Sequence, residues 1–191
     1  MKNTTLCYLE QDGSWLLLHR NKKKNDPNHD KWIGIGGKFE ENESPDDCIR
    51  REFREETGLE LTKYRYCGIV TFVSDCWEGE YMHLFHASAC RGSLRDCDEG
   101  ELAWIPETQF AALPQWEGDR IFLRLMREHA PFFSLKLRYE GDRLAEDFDC
   151  VDLELAWAAD PAKFDFVAAG QHLIERGAGA YPDGDFDCGC I

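Results

Sequence analysis

The chain has 191 residues, 43% of them hydrophobic and 13% aromatic, and a formal net charge of −15. That length suits one compact domain with room for an appendage, and the apolar share is enough for a core. The negative balance argues against a nucleic-acid polymer or an anionic membrane as partner, since both reward a basic face.

No apolar run approaches the ~20 residues that a membrane-spanning helix needs. Residues 1–5, Met-Lys-Asn-Thr-Thr, carry no signal-peptide apolar stretch. The nine cysteines are an odd count and mostly stand alone. They read as small buried hydrophobes or free thiols, so the expected compartment is the cytoplasm. Twelve Asp and Glu face three Lys and Arg between Gly141 and Ile191, a local charge of −9. A small anionic substrate remains compatible with this chain if metal cations stand between the two.

Taken in order, residues 4–10 and 14–20 are apolar-rich and flank the turn signal Gln11-Asp12-Gly13, which predicts a β-hairpin. Residues 21–30 are polar, hold Pro27, and read as a loop. Residues 32–39 contain Gly34, Gly36 and Gly37 and read as extended, with the backbone accessible where side chains are missing. Ser44 is a good N-cap, Pro45 fits the first helical position, and Asp46 and Asp47 suit the positive end of the helix dipole. The helix should run to Thr57, with Gly58 as its left-handed stop. Residues 61–74, 80–90 and 101–105 read as strands. Residues 106–113 and 119–129 read as helices, and 132–139 as a last strand. Irregular alternation of strands and helices predicts an α/β layer structure with a mixed sheet over residues 1–143. Residues 144–191 read as an acidic C-terminal extension, with one helix at 160–176 and a mobile tail at 177–191.

The chemistry concentrates between Gly37 and Leu59. Glu52, Glu55 and Glu56 are spaced i, i+3, i+4 on the predicted helix and fall within an arc of roughly 100°. Taken alone, they read as a solvated acidic face. A cation would turn their mutual repulsion into binding, and oxygen-only ligands suit Mg²⁺ or Mn²⁺. Ile49 and Phe53 can dock an adjoining strip of the helix on the sheet. Arg51, one turn before Glu55, can orient carboxylates.

The spacing says more. Gly37, five residues, Glu43, seven residues, then Arg51-Glu52-Phe53-Arg54-Glu55-Glu56-Thr57-Gly58-Leu59 resembles the Nudix box, with every specified position filled. The resemblance implies a loop-helix-loop on an α/β/α sandwich that holds divalent cations and cleaves a diphosphate bond. It implies Glu52, Glu55 and Glu56 as metal ligands, often with the Gly37 carbonyl. It places Glu43 and Arg51 in support of loop and helix. The metal would neutralise phosphate oxygens and activate a water, and the rest is positioning and charge. A carboxylate outside the helix often assists as ligand or base. Glu99 is the candidate, with Asp98 and Glu101 as competitors. The catalytic set is then Glu55, Glu56, Glu99 and Arg51.

The resemblance runs over about residues 4–142 and is similar to the MutT-like branch, the 8-oxo-dGTP diphosphatases. Lys31-Trp32, Gly34-Ile35-Gly36-Gly37-Lys38, Trp104, Leu113-Pro114-Gln115-Trp116-Glu117-Gly118-Asp119 and Phe132-Phe133 carry it. It implies that Trp116 stacks on the purine and that Asp119 hydrogen-bonds it. Trp116 as a half-buried core residue is the other reading. Ile33 stands where well-known members carry Asn, and Gly118 where some carry a second Asp. Both changes remove polar contacts. Arg20 and Lys38 can reach phosphates or serve as surface cations. The expected partner is a small nucleotide. A nucleotide sugar or a dinucleoside polyphosphate is the alternative substrate, and a non-catalytic binding module the alternative class. The oligomeric state is left open. Cys188 and Cys190 read as a flexible terminus rather than a redox or metal pair.

Overall fold

The computed structural model describes residues 1–23 and 26–145, and the backbone of a strand at residues 151–155. Strand β1, Lys2–Gln11, turns into β2, Ser14–His19, through Asp12 and Gly13. Both turn residues have positive φ, 50° and 71°. That is the backbone of the two-residue hairpin turn that Asp-Gly favours.

The predicted extended stretch 32–39 is mostly not a ladder. It holds a two-residue strand β3, Trp32–Ile33, and then single bridges, Cys7 to Ile35 and Thr4 to Lys38. Missing side chains let this segment lie directly on β1. A Cβ on Gly36 would strike the Thr5 backbone.

Helix α1, Pro45–Thr57, has the ends that its sequence dictates. The Ser44 hydroxyl accepts the Asp47 N–H at 3.2 Å, and the Asp47 carboxylate accepts the Ser44 N–H at 3.1 Å. Such a reciprocal cap stabilises by about 1 kcal/mol. Gly58, at φ 78°, closes the helix by donating to the Arg54 carbonyl.

Strands β4, Leu59–Ser74, and β5, Glu80–Gly92, form the long antiparallel pair at the centre. Strand β6, Glu101–Pro106, pairs with β2. The helix expected at 106–113 is instead a 3-10 turn, Glu107–Ala112, with no side-chain cap at Pro106. Helix α2, Asp119–Arg127, leads to β7, Phe133–Glu140, whose burial alternates residue by residue. A short β8, Arg143–Leu144, follows. One strand was not anticipated: β9, Val151–Leu155, pairs antiparallel with β7. The helix expected at 160–176, the tail at 177–191, and Cys188 and Cys190 lie outside the described residues.

The sheet order is β3-β2-β1-β5-β4-β7-β8, with β6 on β2 and β9 on β7. β1/β5 and β4/β7 are parallel and the other pairs antiparallel, so the sheet is mixed as expected. Alternation along each strand separates two cores. Cys7, Leu9, Leu16 and Phe85 pack with Ile49 and Phe53 of α1 on one face. Tyr8, Trp15, Leu17 and Leu135 pack with Phe122 and Met126 of α2 on the other. Full burial of side chains of this size contributes roughly 1.5–3 kcal/mol each. The result is the α/β/α sandwich. Among the described residues no helix is long and apolar enough to cross a membrane.

Candidate active site

Arg51 organises the acidic helix. Its guanidinium donates to both Glu43 oxygens, at 2.6 and 2.8 Å, to Glu52 at 2.8 Å and to Glu55 at 3.2 Å. It also donates to the Lys38 carbonyl at 3.0 Å, which ties helix to loop. The Arg51 bonds pull the Glu43 carboxyl down to about 2, and the same contacts hold Arg51 firmly protonated. A bidentate pair of this kind fixes geometry as well as charge.

The other glutamates meet the glycine loop. Gly37 has no side chain because Glu52 occupies the space that a Cβ would take. The Gly37 carbonyl accepts the Thr5 N–H at 2.8 Å and, more weakly, the Cys48 thiol at 3.8 Å. Glu56 is buried, 8% exposed, and accepts the Gly36 N–H at 3.2 Å. Burial, and then the nearby Glu52 charge, push its carboxyl up to about 7. A buried carboxyl beside a second carboxylate is in an environment that a cation would relieve.

These groups open on a cavity of about 620 Å³ on the α2 side of the sheet. Among the predicted residues it is lined by Glu52, Glu56, Gly37, Lys38, Arg20, Glu99, Ile33, Trp116 and Asp119. Glu55 and Arg51 are not in its lining. Glu55, 55% exposed in its side chain, turns to Arg51 instead. Glu99 enters from the loop before β6, where Arg20 and Lys23 hold its two oxygens. Arg20 also pairs with Asp26. Both side chains that could meet phosphate or metal are therefore paired with each other. Sequence reasoning missed Lys23 and Asp26, which sit in a polar loop with no pattern to mark them. Asp98 and Glu101 are absent from the lining.

At the other end lies a more apolar wall. Trp116 is 7% exposed and joins the core, so the core reading of this residue holds in part. Its ring carries the Lys31 ammonium 4.2 Å from the centroid and meets Phe72 and Tyr139 edge-on. Its Nε1–H donates to Asn28 Oδ1 at 2.8 Å. Asp119 opens α2, is 6% exposed, and has its carboxyl pushed up to about 8 by burial. The Gly118 N–H donates to the Tyr139 hydroxyl at 2.7 Å. Tyr139 and Leu137 fill the space that a side chain at 118 would need.

The residues fit a divalent cation in donor chemistry: Glu52, Glu56 and Glu99 offer only oxygen to one cavity. No three acidic, His or Cys side chains among the described residues are already drawn together as a cage. Arg51, Arg20 and Lys23 pair with Glu52, Glu55 and Glu99.

Fold, glycine loop and acidic helix together define a hydrolase of phosphorus anhydrides. The NUDIX domain model matches residues 2–126, and the chain belongs to the Nudix family. It is 32% identical over 131 residues to the uncharacterised Nudix hydrolase YvcI of Bacillus subtilis (strain 168), covering 66% of this chain and 79% of that protein. It is 30% identical over 142 residues to an oxidized purine nucleoside triphosphate hydrolase of Danio rerio, covering 73% of this chain and 88% of that one. The crystal structure of a MutT protein from Bacillus halodurans superimposes with a TM-score of 0.67 at 25% identity, over 81% of this chain and 98% of that chain. Nudix hydrolases generally use divalent metal ions.

Proposed function

We propose that this protein is a Mg²⁺-dependent pyrophosphohydrolase of nucleoside triphosphates, with oxidised purine nucleotides such as 8-oxo-dGTP as its substrates and nucleoside monophosphate and pyrophosphate as products. The observation that carries the reading is the shape of one cavity, acidic at the α1 end and apolar with a buried carboxyl at the Trp116 end. A triphosphate with a purine has the matching two ends.

Glu52 and Glu56, with Glu99 and the Gly37 carbonyl, would hold the metal, Glu55 would join them on leaving its bond to Arg51, and Mn²⁺ suits the same oxygen donors. Bound there, the metal would neutralise phosphate charge and supply an activated water. Arg51 positions Glu52 through its hydrogen bond, and Glu43 fixes Arg51 in turn. Glu56 or Glu99 would be the carboxylate that takes a proton from the attacking water. Lys38 and Arg20 line the phosphate end and offset its charge. Trp116, Ile33 and Asp119 form the wall that receives the base. The relatives from Danio rerio and Mus musculus that bear the name oxidized purine nucleoside triphosphate hydrolase support this substrate class. The test is the initial rate with 8-oxo-dGTP beside dGTP, with pyrophosphate and orthophosphate measured separately. Faster turnover of the oxidised nucleotide with pyrophosphate release is expected.

A nucleotide sugar or dinucleoside polyphosphate is the second reading. Ile33 and Gly118 favour it, because neither offers a polar side chain to a base. Failure of both triphosphates, with turnover of such a diphosphate, would select it.

A further inference from the structure

The base end of the cavity carries two polar groups that make no hydrogen bond to the described residues. One is the Asp119 carboxyl, 6% exposed, which makes no side-chain hydrogen bond among the described residues. The other is the amide nitrogen of Asn28. Asn28 lines the cavity from the loop after β2 and is half-buried. Its Oδ1 accepts the Trp116 Nε1–H at 2.8 Å, and its backbone N–H and C=O are used by Asp26 and Lys31. Indole N–H is only a donor, so this bond decides which way the carboxamide faces: oxygen to Trp116, and an NH₂ that makes no hydrogen bond among the described residues. Trp116 also accepts the Asp119 N–H on its own carbonyl, at 3.1 Å. One residue therefore holds both the Asn28 carboxamide and the start of the Asp119 helix in place. A base bound there would withdraw this half-buried donor from water, and a donor then left unmatched costs about 1–3 kcal/mol, which makes such a group selective for what it meets.

We propose that Asn28 is a specificity-determining residue whose Nδ2–H donates to a carbonyl oxygen on the substrate base, while Asp119 receives the neighbouring N–H. This assigns the preferred base class as 6-oxopurines, which present an oxygen acceptor next to a ring N–H, over 6-aminopurines, which present the reverse. Trp116 is a positioning residue in this arrangement. The assignment rests on the nucleoside triphosphate reading above.

The test compares kcat/KM for dGTP and dATP in the full chain. The wild type should favour dGTP. Asn28→Asp keeps the acceptor that Trp116 needs and loses the donor, and Asn28→Leu removes both without adding charge. Each should lower the dGTP to dATP ratio by about fivefold or more, mainly through KM for dGTP. Trp116→Phe keeps a ring but frees Asn28, so it should lower the ratio in the wild-type background and leave it unmoved in Asn28→Leu. Thermal melts check that each variant folds. Folded Asn28 variants with a wild-type ratio would overturn the assignment while leaving the triphosphate reading intact. Absence of wild-type turnover on dGTP, dATP and 8-oxo-dGTP alike would overturn both.

Discussion

The Glu56 carboxyl accepts the Gly36 N–H at 3.2 Å, across the junction between α1 and the glycine loop. The bond places a buried carboxyl at the floor of the acidic end of the cavity. It also sets an acid-base property that can be measured.

Burial holds the folded Glu56 carboxyl near 7, above the roughly 4.3 of an unfolded glutamate. Stability from a raised carboxyl is fully present below the unfolded value and is lost as pH rises through the folded one. Glu56→Gln keeps the shape and cannot ionise. Without metal, the variant should melt above the wild type at pH 8 and level with it at pH 4.5. With Mg²⁺ its turnover should fall about a hundredfold or more, the scale of losing a central electrostatic group. A variant that melts below wild type at pH 8 would contradict the burial account.

The same proton competes with metal. A ligand that loses its proton near pH 7 makes cation affinity rise through that pH. Between pH 6 and pH 8 the Mg²⁺ dissociation constant, read by calorimetry, should fall about tenfold. An affinity flat over that range would remove Glu56 from the ligand set.

Glu43 behaves in the opposite sense. Its bonds to Arg51 hold it at about 2, so its stabilisation is present above the ordinary carboxylate range and is lost as pH falls through 2. Glu43→Gln should cost about 1–3 kcal/mol at pH 7 in urea unfolding. The gap from wild type should close on acidification from about pH 4.5 toward pH 2.

Gly118 is fixed by packing rather than by backbone angle, since its φ is −67°. A Cβ there would lie 2.6 Å from the Tyr139 hydroxyl oxygen. Gly118→Ala should therefore lower stability by about 1–3 kcal/mol, and the paired Tyr139→Phe exchange should recover part of it.

The strongest local signals were legible in the sequence. Ser44, Pro45 and Gly58 write the limits of α1 because caps are local chemistry, and Asp12-Gly13 writes its hairpin for the same reason. The Nudix spacing told which helix carries the acids. What the sequence hid is long-range. Nothing in residues 21–30 marks Asn28 as the partner of Trp116, 88 residues away, or Lys23 as the partner of Glu99, 76 residues away. Glu55 lies on the expected face of α1, but Arg51 turns its side chain away from the cavity lining. The strand at 151–155 exists through its pairing with β7, and pairing is not written in local propensity.

The most direct test of the central claim is Mg²⁺-dependent release of pyrophosphate from 8-oxo-dGTP by the full chain, with EDTA as control. We expect turnover that rises with Mg²⁺ to saturation, yields pyrophosphate with monophosphate, and vanishes on chelation. Turnover unaffected by EDTA, or orthophosphate as the first product, would contradict it.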